Sequence, residues 1–563
     1  MKLFPIKDYL PLLTRRDKRQ WLVLLIVTIL SGVARGGFLA LINGAIAAGE
    51  SRKTLLLYAP ASLVTIAVIL GGDFFGAVRG KALAARMTVR LRGELMERIG
   101  SADLQTIERE GVGDLLYNVM YAAPTVADAL LLYLNFANGI VTLTFNVIYI
   151  GFLSPAGFTM AVAIVLVGVA VHYAIEHANQ SRRHALDGLW RDSQTNILGH
   201  LEGYKELRLA ADKSADYREM LERIHSKWFA ETVAEMKLSS LGVMTTTFFL
   251  YLAMAAVGLL LPALIAVKPV TAMQLLSAIL FTMGPLVSVI TTFGQFGRAG
   301  VAVEKIRRVS ATMDAIREPK AVSTQAGLPA FEQIALENIT FTFPKEQDST
   351  AGSEEFHLGP IDLTIRRGDI VCLAGGNGSG KTVLMRLLAG LYRPTGGIIC
   401  YNGTPVSESD RQAYREQFSA VFGDFHLFKE LLGHRDPPLS DVAALFEKYD
   451  LKGKTSVADR AFTNLELSAG QRKRLALIVS ILDRRPVMVL DEFGADQDPE
   501  HRYRFYREWL GDLKAIGKTV IVVSHDDRYF DAADRIVRLD FGRIVEDRAV
   551  RPERAIVTQG DNV

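Results

Sequence analysis

Apolar residues crowd the first 300 positions of this chain, and polar and charged residues take over after Phe331. Six apolar runs stand out, at residues 21–48, 55–78, 127–153, 156–175, 241–267 and 270–296. Each is long enough for a helix to cross a bilayer, which takes about 20 residues. Within the first two runs the only charges are Arg35 and Asp73. Ser154-Pro155 leaves room only for a hairpin between the third and fourth. An even number of spans places both ends on one side. Lys2, Lys7, Arg15, Arg16, Lys18 and Arg19 precede the first span, whereas the opposite loops carry Arg52, Lys53 and Lys268. The positive-inside rule therefore puts both termini, and the soluble half, in the cytosol.

Two cytosolic loops, 79–126 and 176–240, are longer than a connection needs and read as helices extending beyond the bilayer. The stretch Glu202 to Leu209 and the turn Gly111 to Leu115 are candidates for contacts with the soluble half; solvated surface helix is the competing reading. Polar residues inside spans are costly and so carry information. Asp128, Asn135, Thr142 and Tyr149 recur every seven positions, with Asn138 and Asn146 near the same face. That face either lines an aqueous cavity or hydrogen-bonds neighbouring helices. Ser288, Thr291 and Gln295 make a shorter stripe. Arg35 calls for a cavity, or for an ion pair with Asp73.

The soluble half opens on an alternating strand ending at Phe343, whose ring can stack on an adenine or pack in the sheet. The apolar run 370–374 is followed by Gly375-Gly376-Asn377-Gly378-Ser379-Gly380-Lys381-Thr382 and then by a helical pattern. This is the phosphate-binding arrangement G-x-x-x-x-G-K-[ST] in its strand–loop–helix setting. Glycines turn backbone N–H groups inward around the phosphates, Lys381 adds a point charge, and Thr382 offers a hydroxyl to Mg²⁺. A second buried strand ends in Asp491-Glu492, an acid for Mg²⁺ and a base for the attacking water. A third ends in His525, placed for the γ-phosphate. Three polar strand tips at one sheet edge define one crevice. Leu467-Ser468-Ala469-Gly470-Gln471 opens a helix over 472–482, a second free helix N-terminus and so a second anion site.

Together these residues resemble the nucleotide-binding domain of ABC transporters. The resemblance implies a signature at Leu467 to Gln471, Asp498 in the D-loop, and ATP with Mg²⁺ as cofactors. Ser468, Gly470 and Gln471 would then contact the nucleotide held by another copy, which implies a homodimer, or a heterodimer with a similar half-transporter. The preceding spans look like the exporter type. Gly359-Pro360-Ile361-Asp362, Phe418-Ser419-Ala420-Val421-Phe422, Ala495-Asp496-Gln497-Asp498-Pro499 and His525-Asp526-Asp527-Arg528 resemble the bacterial cyclic-peptide and siderophore-peptide exporters. The chain departs from the family pattern at three points. Gly423, followed by Asp424, stands where a Q-loop glutamine is usual, so Asp424 is a candidate metal contact. Ala469 replaces a glycine, and Phe343 a tyrosine.

A net charge of +3 and the lack of a basic stripe exclude nucleic acid as the main partner, and two cysteines, Cys372 and Cys400, are too few for a disulfide framework. The expected architecture is an all-α six-helix transmembrane domain of exporter type (1–309), a linker (310–330), an α/β P-loop ATPase domain (331–550) and a tail (551–563). The expected function is ATP-driven export of a cyclic or otherwise modified peptide across the bacterial inner membrane. A lipid flippase or a siderophore importer of the same fold is the alternative.

Overall fold

The computed structural model describes residues 12–47, 52–265, 267–315, 328–343, 356–434 and 439–550. The chain forms two compact units, one of residues 1–98 with 111–312, the other of 99–110 with 313–563.

Among the described residues of the first unit six helices are long and apolar enough to cross a membrane. They lie in α1 (Arg15–Ala47), α2 (Arg52–Gly100), α4 (Val112–Leu153), α5 (Pro155–Glu202), α7 (Ala211–Leu264) and α8 (Pro269–Ala315), with α3 (Leu104–Glu110) and α6 (Tyr204–Leu209) as short helices between them. Ser154 alone separates α4 from α5: its hydroxyl accepts from Gly157 N, and Pro155 takes the first helical position, where its missing N–H costs nothing. Helices that cannot gain from hydrophobic burial in lipid associate through close packing at small residues. Gly36 of α1 is such a place, since a Cβ there would lie 2.2 Å from the Phe145 ring of α4. The stretch read as a linker starts inside α8, which continues to Ala315; residues 316–327 and the tail 551–563 lie outside the described residues.

The second unit is built on a six-stranded sheet. With β1 as Gln333–Thr342, β2 as His357–Arg366, β3 as Ile370–Gly375, β4 as Gly396–Tyr401, β5 as Phe418–Val421, β6 as Val487–Asp491, β7 as Thr519–Val523, β8 as Arg535–Asp540 and β9 as Arg543–Ala549, its order is β9-β8-β3-β7-β6-β5. Strands β8, β3, β7, β6 and β5 run parallel. Every residue of β6 and β7 is buried, as a strand covered on both faces must be. Side chains of alternate parity feed two apolar layers, Met488 and Leu490 into one and Val487 and Val489 into the other. A second, antiparallel sheet joins β2, β1 and β4, with Ile334, Leu336, Ile339 and Phe341 of β1 buried. Cys372 and Cys400 are free and buried.

Candidate functional site

The parallel sheet fixes where the chemistry can sit. Register pairs Leu373 with Val523 and Val523 with Asp491, so the loop after β3, the acidic end of β6 and the segment after β7 emerge at one edge. The convergence expected from the three polar strand tips is therefore present.

The loop 375–380 needs its glycines. Gly375, Gly378 and Gly380 have φ of 147°, 77° and 99°, and a Cβ on Gly375 would approach the Leu539 carbonyl oxygen to 2.3 Å. The loop delivers Lys381 to the start of α9 (Lys381–Leu388), where Nζ donates to the carbonyls of Gly375 (3.0 Å) and Gly376 (2.8 Å). Burial holds the Lys381 ammonium below the ordinary lysine value, against the pull of Glu492 and Asp491. The buried Ser379 hydroxyl has no hydrogen-bond partner among the described residues, as expected of a loop built around an anion. A cavity of about 350 Å³ lies over the loop, lined by Asn377, Gly378, Gly380, Lys381, Thr382 and Glu492, with Phe343 and Phe356 forming its aromatic wall. Phe343 is 43% exposed and meets Phe341 edge-on, whereas Phe341 is buried.

Asp491 is buried, and its Oδ2 accepts from Gly423 N at 3.3 Å. Burial pushes its carboxyl above the usual aspartate range, and the Gly423 bond works against that. Glu492 follows with φ of 46°, a left-handed conformation that a non-glycine residue holds only when its surroundings impose it. Two contacts impose it here. His525 Nε2–H donates to Glu492 Oε1 at 2.9 Å, and Lys473 Nζ donates to the Glu492 carbonyl at 2.7 Å while pairing with Asp496 at 2.7 Å. Lys473 is a contact of Glu492 that the sequence did not reveal; it is one of three consecutive basic residues, Arg472, Lys473 and Arg474.

Among the described residues no cluster of three or more His, Cys, Asp or Glu is placed to hold a metal ion. Thr382 and Asp491 supply two hard oxygen donors, which suits Mg²⁺, an ion that completes its shell with phosphate oxygens and water. Asp424 does not join them: it is exposed and pairs with Arg386 at 3.3 Å. The signature residues also stand apart. The helix they open, α10 (Ala469–Leu482), starts three residues earlier than the sequence reading, because Ser468 caps it and forms a capping box with Gln471. Ser468, Gly470 and Gln471 do not line the cavity. Asp498 caps helix α11 (Pro499–Arg504), accepting from His501 N at 2.9 Å, and that bond keeps its carboxyl below the usual range.

A further element belongs to this unit. Helix α3 packs Leu104 against the apolar layer below β1. Its Glu108 accepts from the Tyr392 hydroxyl at 2.6 Å and from Arg386 at 3.0 Å. Burial, reinforced by Glu108, pushes the Tyr392 hydroxyl up to about 12. Of the two segments read as contact candidates, Gly111 to Leu115 falls in the first unit, and α6 buries no residue.

Within the first unit the polar stripe of α4 divides. Asn135, Asn138 and Thr142 line a cavity of about 530 Å³ with Arg35, Phe38, Phe281 and Ser288, whereas Asn146 is buried against Thr282 of α8 at 3.4 Å. Asp128 is exposed and Tyr149 is half-buried in an apolar cluster. Both readings of Arg35 hold: it lines this cavity and pairs with Asp73, which also accepts from Ser31 at 2.9 Å.

A phosphate loop, a buried aspartate, an adjacent glutamate held by a histidine and a separate signature helix, behind six membrane-length helices, define a half-transporter with an ATPase coupled to transport. The chain belongs to the ABC transporter family, whose description matches residues 358–495. It is 31% identical to "ATP-binding protein SyrD" of Pseudomonas syringae pv. syringae over 93% of each chain. It is 26% identical to an "ATP-dependent lipid A-core flippase" of Alkalilimnicola ehrlichii, over 87% of this chain and 84% of that one. Its fold matches a bacterial Atm1-family ABC exporter with ATP bound at a TM-score of 0.75, covering 95% of each chain at 17% identity. It is thus a multi-pass ABC transporter with a fold of the exporter type.

Proposed function

We propose that two copies form a homodimer in the bacterial inner membrane, both termini cytosolic, and move a cyclic or otherwise modified peptide outward. The cargo reading extends to antimicrobial, lasso and siderophore-precursor peptides. The cavity of α1, α4 and α8 carries it. Asn135 and Asn138 can donate to and accept from peptide groups, Arg35 offers a positive charge, and Phe38 and Phe281, their centroids 6.1 Å apart, add an apolar patch. ATP would lie on the loop 375–380 with its base against Phe343, and His525 would reach its γ-phosphate. Glu492 would orient and deprotonate the attacking water. Mg²⁺, held by Thr382 and Asp491, would supply neutralisation of phosphate charge.

The flippase relatives favour a second reading, in which the same cavity passes a lipid. The two separate in reconstituted vesicles. Cyclic peptides, and not lipids, should stimulate ATP hydrolysis, and Asn135→Leu with Asn138→Leu should abolish the stimulation. Stimulation by a lipid alone, unchanged in that double variant, rejects the peptide reading.

A further inference from the structure

A second cavity, of about 370 Å³, lies between the start of α1 and the middle of α2. Four arginines line it, Arg16, Arg19, Arg79 and Arg86, with Val23 and Phe75 among its apolar lining residues. Among the described residues no carboxylate lines it. The nearest acid in sequence, Asp17, is already held by Arg90 and Thr14. Arg86 spends donors on Gln20 Oε1 (2.7 Å) and the Ala82 carbonyl (3.3 Å), and the Arg79 guanidinium sits 5.9 Å from the Phe75 ring centre. Neither contact neutralises charge. Four guanidinium groups around one small cavity repel one another unless an anion sits among them, and the dipole at the start of α1 adds to the positive field.

The position identifies the anion. Arg16 and Arg19 precede the first apolar run, and Arg79 and Arg86 follow the second, so all four lie at the same membrane edge. Val23 and Phe75 belong to the apolar runs themselves. The cavity is therefore cationic towards the headgroup layer and apolar towards the hydrocarbon. Guanidinium groups bind phosphate through paired N–H donors.

We propose that this cavity binds the headgroup of an anionic phospholipid, with an acyl chain along Val23 and Phe75. The site is separate from the cargo cavity, and it holds whichever way the chain is oriented in the membrane and whatever the cargo.

The test is native mass spectrometry of the full-length protein in detergent, titrated with phosphatidylglycerol or with phosphatidylcholine of identical acyl chains. The protein should retain phosphatidylglycerol at least about tenfold better, and each arginine replaced should lower that preference. Replacing all four with glutamine should erase the preference. Replacing Lys213, Arg218, Arg223 and Lys227, which removes equal charge from exposed positions of α7, should leave it intact. If the fourfold variant aggregates on size-exclusion chromatography, Arg16→Gln with Arg19→Gln makes the same test with a smaller loss. Equal retention of the two lipids, a preference that survives the arginine replacements, or equal loss in the α7 control overturns the proposal. So does displacement of the lipid by millimolar inorganic phosphate, which would mark a site for the free ion.

Discussion

Glu492 is the proposed base for hydrolysis, and contacts hold it from two sides. His525 fixes the carboxylate and Lys473 fixes the carbonyl. Lys473 is 3% exposed, and its charge is balanced by Asp496. It acts through Glu492 without touching the nucleotide cavity, which makes it a positioning residue. Replacing it with methionine should lower kcat by about 10²-fold, the cost typical of a small misplacement at a reacting centre, while the KM for ATP stays near wild type. Lys473→Arg should recover part of the loss. A raised KM at unchanged kcat, measured by steady-state hydrolysis, would show that Lys473 serves nucleotide binding instead. The glycines of the phosphate loop were legible in the sequence because a positive φ and a backbone at 2.3 Å leave no other choice. Lys473 was not, because only the rotation of α10 separates it from the exposed Arg472 beside it.

At the scale of elements, the apolar runs were readable because lipid accepts only long, internally hydrogen-bonded helices. The polar stripe of α4 left two readings open because the same residues suit a cavity and a helix contact; the structure assigns Asn138 to one and Asn146 to the other. Helix α3 was out of reach. It has seven residues, too few for a periodic pattern to speak, and its partner Tyr392 lies 284 positions away from Glu108. Glu108 is its charged anchor. Glu108→Ala removes a short charge-assisted bond and leaves the Tyr392 hydroxyl to find another partner, a loss of about 1.5–3 kcal/mol. Amide exchange over residues 99–110 should quicken by about tenfold or more, and cargo should no longer stimulate hydrolysis although basal hydrolysis persists. Unchanged exchange and unchanged stimulation would make α3 a passive surface helix.

For the molecule as a whole, the arrangement of one chain is incomplete. The cavity over the phosphate loop holds Lys381, Thr382, Phe343 and Glu492, but the signature residues Ser468, Gly470 and Gln471 are not part of it. The sequence shows two anion sites in one domain without saying how they combine, because pairing between copies leaves no spacing signature. In the proposed homodimer the signature of one copy lies against the phosphate loop of the other, with ATP between them. The most direct measurement is oxidative cross-linking of an Asn377→Cys, Ser468→Cys variant carrying Glu492→Gln to hold ATP; native Cys372 and Cys400 are buried. With ATP and Mg²⁺ the account predicts a product of twice the 62.0 kDa chain mass, and little of it without nucleotide. A bridge that forms only within single chains, or a dimer yield indifferent to ATP, would contradict it.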